Sequence, residues 1–140
     1  NGAIIVGTSA GAAVMSKKMI TGVELKEGKK GDFNTIEQQN IQIADGLGFL
    51  TNVIVDQHFI KRKRLNRLLS VAIENTNNLC IGIDESTALL VVGKTATVVG
   101  AGQIITLDLS KAAIESSAGL LGAKHIDLSI YLPGETFQLP

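Results

Sequence analysis

The chain has 140 residues, 45% hydrophobic and 19% charged, with Lys+Arg and Asp+Glu balanced at 13 each; this suits one globular domain over residues 1–140 and excludes a disordered or coiled chain. A formal net charge of zero supplies no field for holding nucleic acid or an anionic membrane, and no run reaches the ~20 apolar residues of a spanning helix, so neither partner is expected. The lone cysteine, Cys80, excludes an internal disulfide or a multi-cysteine metal site and suits a buried small hydrophobe in a reducing, cytoplasmic setting.

Residues 3–6 (Ala-Ile-Ile-Val) form a continuous apolar run ending at Gly7, the pattern of a buried parallel strand. Because this strand follows Asn1 almost at once, a natural start further upstream is expected and an export leader is left open. A helix is predicted over 10–18, with Lys17 and Lys18 in its last turn, where cations suit the helix dipole. Residues 21–48, interrupted by Gly22, Gly28, Gly31, Gly46 and Gly48, read as loops around one short strand or helix.

A strand over 53–55 ends at Asp56-Gln57-His58-Phe59, and Leu65, Leu68, Leu69, Ala72 and Ile73 then recur at helical spacing. Residues 79–83 form another buried strand, ending at Asp84-Glu85-Ser86-Thr87. Antiparallel strands are predicted over 88–92, 95–99 and 103–107, joined by tight turns such as Gly93-Lys94. A weak helix over 111–116, a strand over 125–132 and a Pro133-Gly134 turn complete the expectation. The fold class is therefore α/β, with a partial, open, mostly parallel sheet followed by antiparallel strands.

Gly7-Thr8-Ser9-Ala10-Gly11 fits a nucleophile elbow, the Gly-x-Ser-x-Gly turn that exposes a serine hydroxyl between a strand and a helix. A turn shaped only for packing, or for phosphate, is the competing reading. A serine nucleophile needs a base and a group to orient that base. Of the two histidines, His58 sits at a strand's C-terminal edge, where catalytic groups gather in open α/β sheets, whereas His125 begins a late strand. Glu85, beyond the next strand, supplies the orienting carboxylate, with Asp84 as its close competitor. The Ala10 amide is the natural oxyanion donor. The order Ser, His, acid differs from that of the α/β-hydrolases and points to another serine hydrolase lineage.

Lys61-Arg62-Lys63-Arg64-Leu65-Asn66-Arg67 places five cations in seven residues at the positive end of the predicted helix. Such placement costs stability when exposed, so Arg62, Arg64 and Arg67 are expected to meet substrate carboxylates or to wall the pocket, against the alternative of a solvated face.

Together, Gly7-Thr8-Ser9-Ala10-Gly11-Ala12-Ala13, Gly46-Leu47-Gly48-Phe49-Leu50, Asp56-Gln57-His58-Phe59 with the three arginines, and Gly82-Ile83-Asp84-Glu85-x-Thr87-Ala88 resemble the cyanophycinases, serine peptidases related to the dipeptidase E group. The resemblance implies a partial sheet of the class I glutamine amidotransferase-like, flavodoxin-like kind. It also implies a β-aspartyl exopeptidase that releases β-Asp-Arg from cyanophycin. Ser9, His58 and Glu85 carry over as the catalytic residues, and Asp56, Gln57, Arg62, Arg64 and Arg67 as substrate-binding residues. No metal or cofactor is implied, and a homodimer is left open. In the family a second oxyanion donor and the first sheet strands precede the elbow, so this chain is expected to be the C-terminal portion of a longer peptidase. An aspartyl dipeptidase is the alternative within enzymes; a non-catalytic polyanion-binding module or inactive fragment is the alternative outside them.

Overall fold

The computed structural model describes residues 2–26 and 31–140, so Gly28 and Asn1 lie outside the described residues. The chain runs α1 (Ala10–Ala13), β1 (Lys18–Glu24), β2 (Ile41–Asp45), β3 (Val53–Gln57), α2 (Leu65–Glu74), β4 (Leu79–Ile83), β5 (Thr87–Val92) and β6 (Thr95–Gly100). It continues through β7 (Ile104–Asp108), β8 (Ala113–Ser117), β9 (Leu120–Lys124), β10 (Asp127–Tyr131) and β11 (Thr136–Gln138).

At the centre is a four-stranded sheet of order β10-β7-β4-β3. Strands β3 and β4 run parallel, Val53 beside Leu79 through Gln57 beside Ile83, and the connection between them carries α2. Alternation along the strands divides the core into two layers. Ile54, Cys80 and Leu107 face α2 and pack with its Leu68, Val71 and Ala72 and with Phe59. Val53, Val55, Ile81 and Ile104 face the other way, onto Ala96 and Val98 of the three-stranded sheet β11-β6-β5 and onto Leu139. The apolar stretches 53–55 and 79–81 thus lie within a two-layer core, which is why they read as continuous runs.

The expected α/β class holds as a mixed architecture richer in strands than anticipated. The sheet is not mostly parallel: among the described residues β3 and β4 are the parallel pair of named strands, and β7 and β10 join them antiparallel. Residues 3–6 form no strand, and Ile4, Ile5 and Val6 are exposed. Their apolar run encodes a covered strand, but it finds no pairing edge among the described residues.

The helix expected over 10–18 ends as α1 at Ala13. Residues 46–50 take over the backbone groups that would have continued it: Leu47 N–H donates to Val14 O, Lys17 N–H to Leu50 O, and Leu50 N–H to Met15 O. Lys18 consequently opens β1 instead of closing a helix. The stretch 21–48 holds the end of β1, which begins at Lys18, and all of β2, paired antiparallel with it, rather than one element. The weak helix expected over 111–116 is replaced by β8, paired with β9 in a two-stranded sheet. Ile114 and the flanking polar residues are too short a stretch to commit to a helical period, and cross-strand pairing decides the conformation.

Candidate active site

Ser9 stands immediately before α1, with φ 52 and ψ −118, a backbone combination that few residues other than glycine adopt. The turn is tight. A methyl group at Gly7 would overlap the carbonyl of Gly11 and the end of Met15, so the first glycine is required by close backbone approach. Ala10, the next residue, is the first of α1, where a backbone N–H has no intrahelical acceptor. Residues of α1 lie against β3, which brings the Ser9 turn beside the end of that strand.

β3 ends at Gln57, and His58 follows in the left-handed region at φ 52. Ser9 Oγ lies 2.9 Å from His58 Nε2, and His58 Nδ1 lies 3.1 Å from Glu85 Oε1, both within hydrogen-bond distance. The imidazole tautomer with its proton on Nδ1 donates to the carboxylate and presents Nε2 as the acceptor for the hydroxyl. The His58 side chain is 25% exposed and that of Glu85 43%, so the pair lies at the surface. The structure therefore brings Ser9, His58 and Glu85 together from segments separated by 49 and 27 residues. His125 stands elsewhere, beside a cavity of about 290 Å³ also lined by Asp108 and Asp127. The Asp108 carboxyl there is held below its usual range by hydrogen bonds from Ser110.

The arginine segment divides into buried and exposed parts. Arg67 reaches back under β3, where its Nε donates to Asp56 Oδ2 at 2.9 Å and its Nη2 to Asp56 Oδ1. Arg67 is 2% exposed and Asp56 1%, and the guanidinium lies 4.9 Å from the Phe33 ring centre. Asp56 and Arg67, expected as substrate contacts, are engaged with one another in the interior. A bidentate pair of this kind satisfies both charges without a ligand.

Arg64 is half-buried and donates to the Gln57 carbonyl and, at 2.9 Å, to Gln57 Oε1; it also lies 3.5 Å from Asp56 Oδ1. Burial lowers its pKa from the ordinary value, with Arg67 adding to that effect and Asp56 opposing it. Lys61, Arg62 and Lys63, in the turn that follows Phe59 and Ile60, are exposed.

Asp84, the competitor for the imidazole, does something else. Its Oδ1 accepts from Ile60 N–H at 3.1 Å and from Lys61 N–H at 3.0 Å. Sequence reasoning overlooked this, although a carboxylate at a strand's end facing a turn is a recognisable acceptor for backbone amides. Among the described residues no cluster of three or more His, Cys, Asp or Glu is placed to hold a metal, and no helix is long and apolar enough to cross a membrane.

Residues 1–99 match the model of peptidase family S51. The chain is 45% identical over 83 residues to a cyanophycinase of Trichormus variabilis, an alignment covering 59% of this chain and 26% of that protein. It is 36% identical over 133 residues to a cyanophycinase of Synechococcus elongatus, covering 91% and 37%. The fold is similar to the crystal structure of a peptidase from an acI-B1 Actinobacterium, with TM-score 0.56 and 23% identity over 94% of this chain and 43% of that one. The chain thus spans between 26% and 37% of the length of these curated relatives. The matched region contains the Ser9 turn, the end of β3 and the end of β4, and on that match the chain belongs to peptidase family S51.

Proposed function

We propose that this chain carries the catalytic serine, histidine and glutamate of a serine-type peptidase that degrades cyanophycin, hydrolysing β-aspartyl bonds to release β-Asp-Arg. The observation that carries the reading is the continuous hydrogen-bond path from the Ser9 hydroxyl through both nitrogens of His58 to Glu85. A nucleophile elbow at Ser9 is supported by its positive φ between an apolar run and α1.

In the proposed reaction Ser9 Oγ attacks the β-carbonyl carbon while His58 Nε2 takes its proton. Glu85 holds the other nitrogen and stabilises the imidazolium that forms. The Ala10 N–H donates to the oxyanion at the start of α1. His58 then returns the proton to the leaving amine, and the C–N bond breaks to give an ester on Ser9. Water, deprotonated by His58, attacks that ester and restores the hydroxyl.

Substrate recognition is proposed to use two layers of the basic segment. Arg62 faces outward beside Lys61 and Lys63, where a carboxylate of a polyaspartate backbone would meet it. Gln57 and Arg64 line the approach, while Asp56 and Arg67 fix the strand end behind them.

The test is release of β-Asp-Arg from cyanophycin granules by the full chain. Ser9→Ala is expected to abolish release while leaving granule binding intact. Cleavage confined to α-linked aspartyl dipeptides would remove the cyanophycin assignment in favour of an aspartyl dipeptidase.

A further inference from the structure

The geometry points to Asp84 as a positioning residue for His58: its carboxylate fastens the turn that follows the histidine to the strand that also bears Glu85. The inference rests on the proposed role of His58 and adds a second carboxylate with a different task.

His58 occupies the left-handed region, and the chain must then turn away from β3 toward α2. Its immediate successors are gripped by the end of β4. Phe59 N–H donates to the Ile83 carbonyl at 3.2 Å, and Ile60 N–H and Lys61 N–H converge on one oxygen of Asp84 at 3.1 and 3.0 Å. Three successive amides after the histidine are therefore held by two successive residues of one strand end. Amide donors converging on an ionised carboxylate form charge-assisted bonds, stronger than neutral ones.

The rest of the contact removes slack. The Phe59 side chain is 2% exposed and lies directly over Gly82, where a methyl group would overlap its ring. On the far side, Asp84 N–H donates to the Gln103 carbonyl and Gly102 N–H to Thr87 Oγ1, so the Asp84–Glu85 turn is itself tied to the chain entering β7. Glu85 orients the imidazole through Nδ1, and Asp84 fixes the backbone on which that imidazole is carried. The two neighbouring carboxylates separate these tasks, and neither can take over the other's from its own position.

The experiment uses the full chain with Asp84→Ala, which removes the acceptor, and Asp84→Asn, which keeps an oxygen facing both amides. Asp84→Ala is expected to lower kcat for cyanophycin by roughly 10- to 100-fold with KM within about 3-fold, because misplacement of about 1 Å costs rate of that order. Asp84→Asn is expected to recover most of that loss. Amide hydrogen exchange at Ile60 and Lys61 should accelerate in the alanine variant and stay slow in the asparagine variant.

An asparagine variant as slow as the alanine one, or an alanine variant with wild-type kcat, overturns the positioning role. If the alanine variant does not fold, the asparagine rate and its exchange at the two amides still decide. Reaction of Ser9 with a serine-directed phosphonylating reagent separates the two levels. An unreactive wild type with the expected exchange pattern defeats the peptidase reading alone, whereas a reactive wild type with unprotected amides defeats the staple alone.

Discussion

Ser9 and His58 each hold a non-glycine backbone at φ 52. Such conformations cost on the order of 1–3 kcal/mol and persist where the surroundings over-determine them. Ser9→Thr tests this at the proposed nucleophile. A threonine hydroxyl has the needed chemistry, but a branched Cβ fits badly at positive φ, so the variant is expected to lose nearly all turnover despite keeping an oxygen at the same atom. A Thr variant turning over within about 3-fold of wild type would show that the turn has room to relax.

Cys80 gives a second prediction on this scale. Burial pushes its thiol up to about 12 from an ordinary value of 9.0. The raised value means that the folded state retains the proton more strongly. Its contribution to stability is therefore fully present below about pH 9 and is lost progressively as the unfolded thiol ionises between pH 9 and pH 12. Alkylation by iodoacetamide at pH 8 is expected only in denaturant, and rapid labelling of the native chain would contradict that burial.

The convergence of Ser9, His58 and Glu85 was legible because His58 and Glu85 follow the apolar runs of β3 and β4, and Ser9 sits in a Gly-x-Ser-x-Gly turn before α1. The division among the charged residues was not. Asp56 and Arg67 look like surface pocket residues in the sequence, yet their spacing places one on β3 and the other on α2, face to face in the interior. No one-dimensional pattern distinguishes an arginine that meets substrate from one that meets a buried aspartate.

Elements with one strong period were readable, as α2 and β4 illustrate. The helix over 10–18 was overextended because good helix formers cannot announce that residues 46–50 will claim their carbonyls. Likewise β8 is recognised by its partner β9 rather than by any signal of its own.

Two predictions belong to the packing of β3, α2 and β4. Arg67→Met is expected to destabilise the chain by about 3–5 kcal/mol, the usual cost of leaving a buried partner's charge uncompensated, read as a lower urea midpoint. A loss below about 1 kcal/mol would mean that Arg64 substitutes as the partner of Asp56. Gly82→Ala is expected to cost about 1–3 kcal/mol by driving Phe59 off the sheet. Phe59→Leu in that background should restore part of the loss, and failure to do so would argue that the overlap is relieved elsewhere.

At the scale of the whole molecule, the core has two well-covered layers, but large apolar side chains stand outside it. Ile4 is 87% exposed and Val6 79%, with Leu47 and Phe49 also uncovered. Large apolar side chains exposed to water favour association where they adjoin. The 140-residue chain, produced as such, is expected to bind a hydrophobic dye and elute above its 14.7 kDa mass, and Ile4→Lys with Val6→Lys should reduce both effects. A non-binding monomer would show that these side chains find cover in solution.

The segment bearing Ser9 is fastened from a distance: Leu47 N–H donates to the Val14 carbonyl, Lys17 N–H to the Leu50 carbonyl and Leu50 N–H to the Met15 carbonyl. A side chain at Gly46 would strike the Ser16 and Val14 carbonyls. Chemistry at the hydroxyl is therefore hostage to a loop distant in sequence, and a bulkier residue at Gly46 is expected to silence the serine while the imidazole and its carboxylate stay in place.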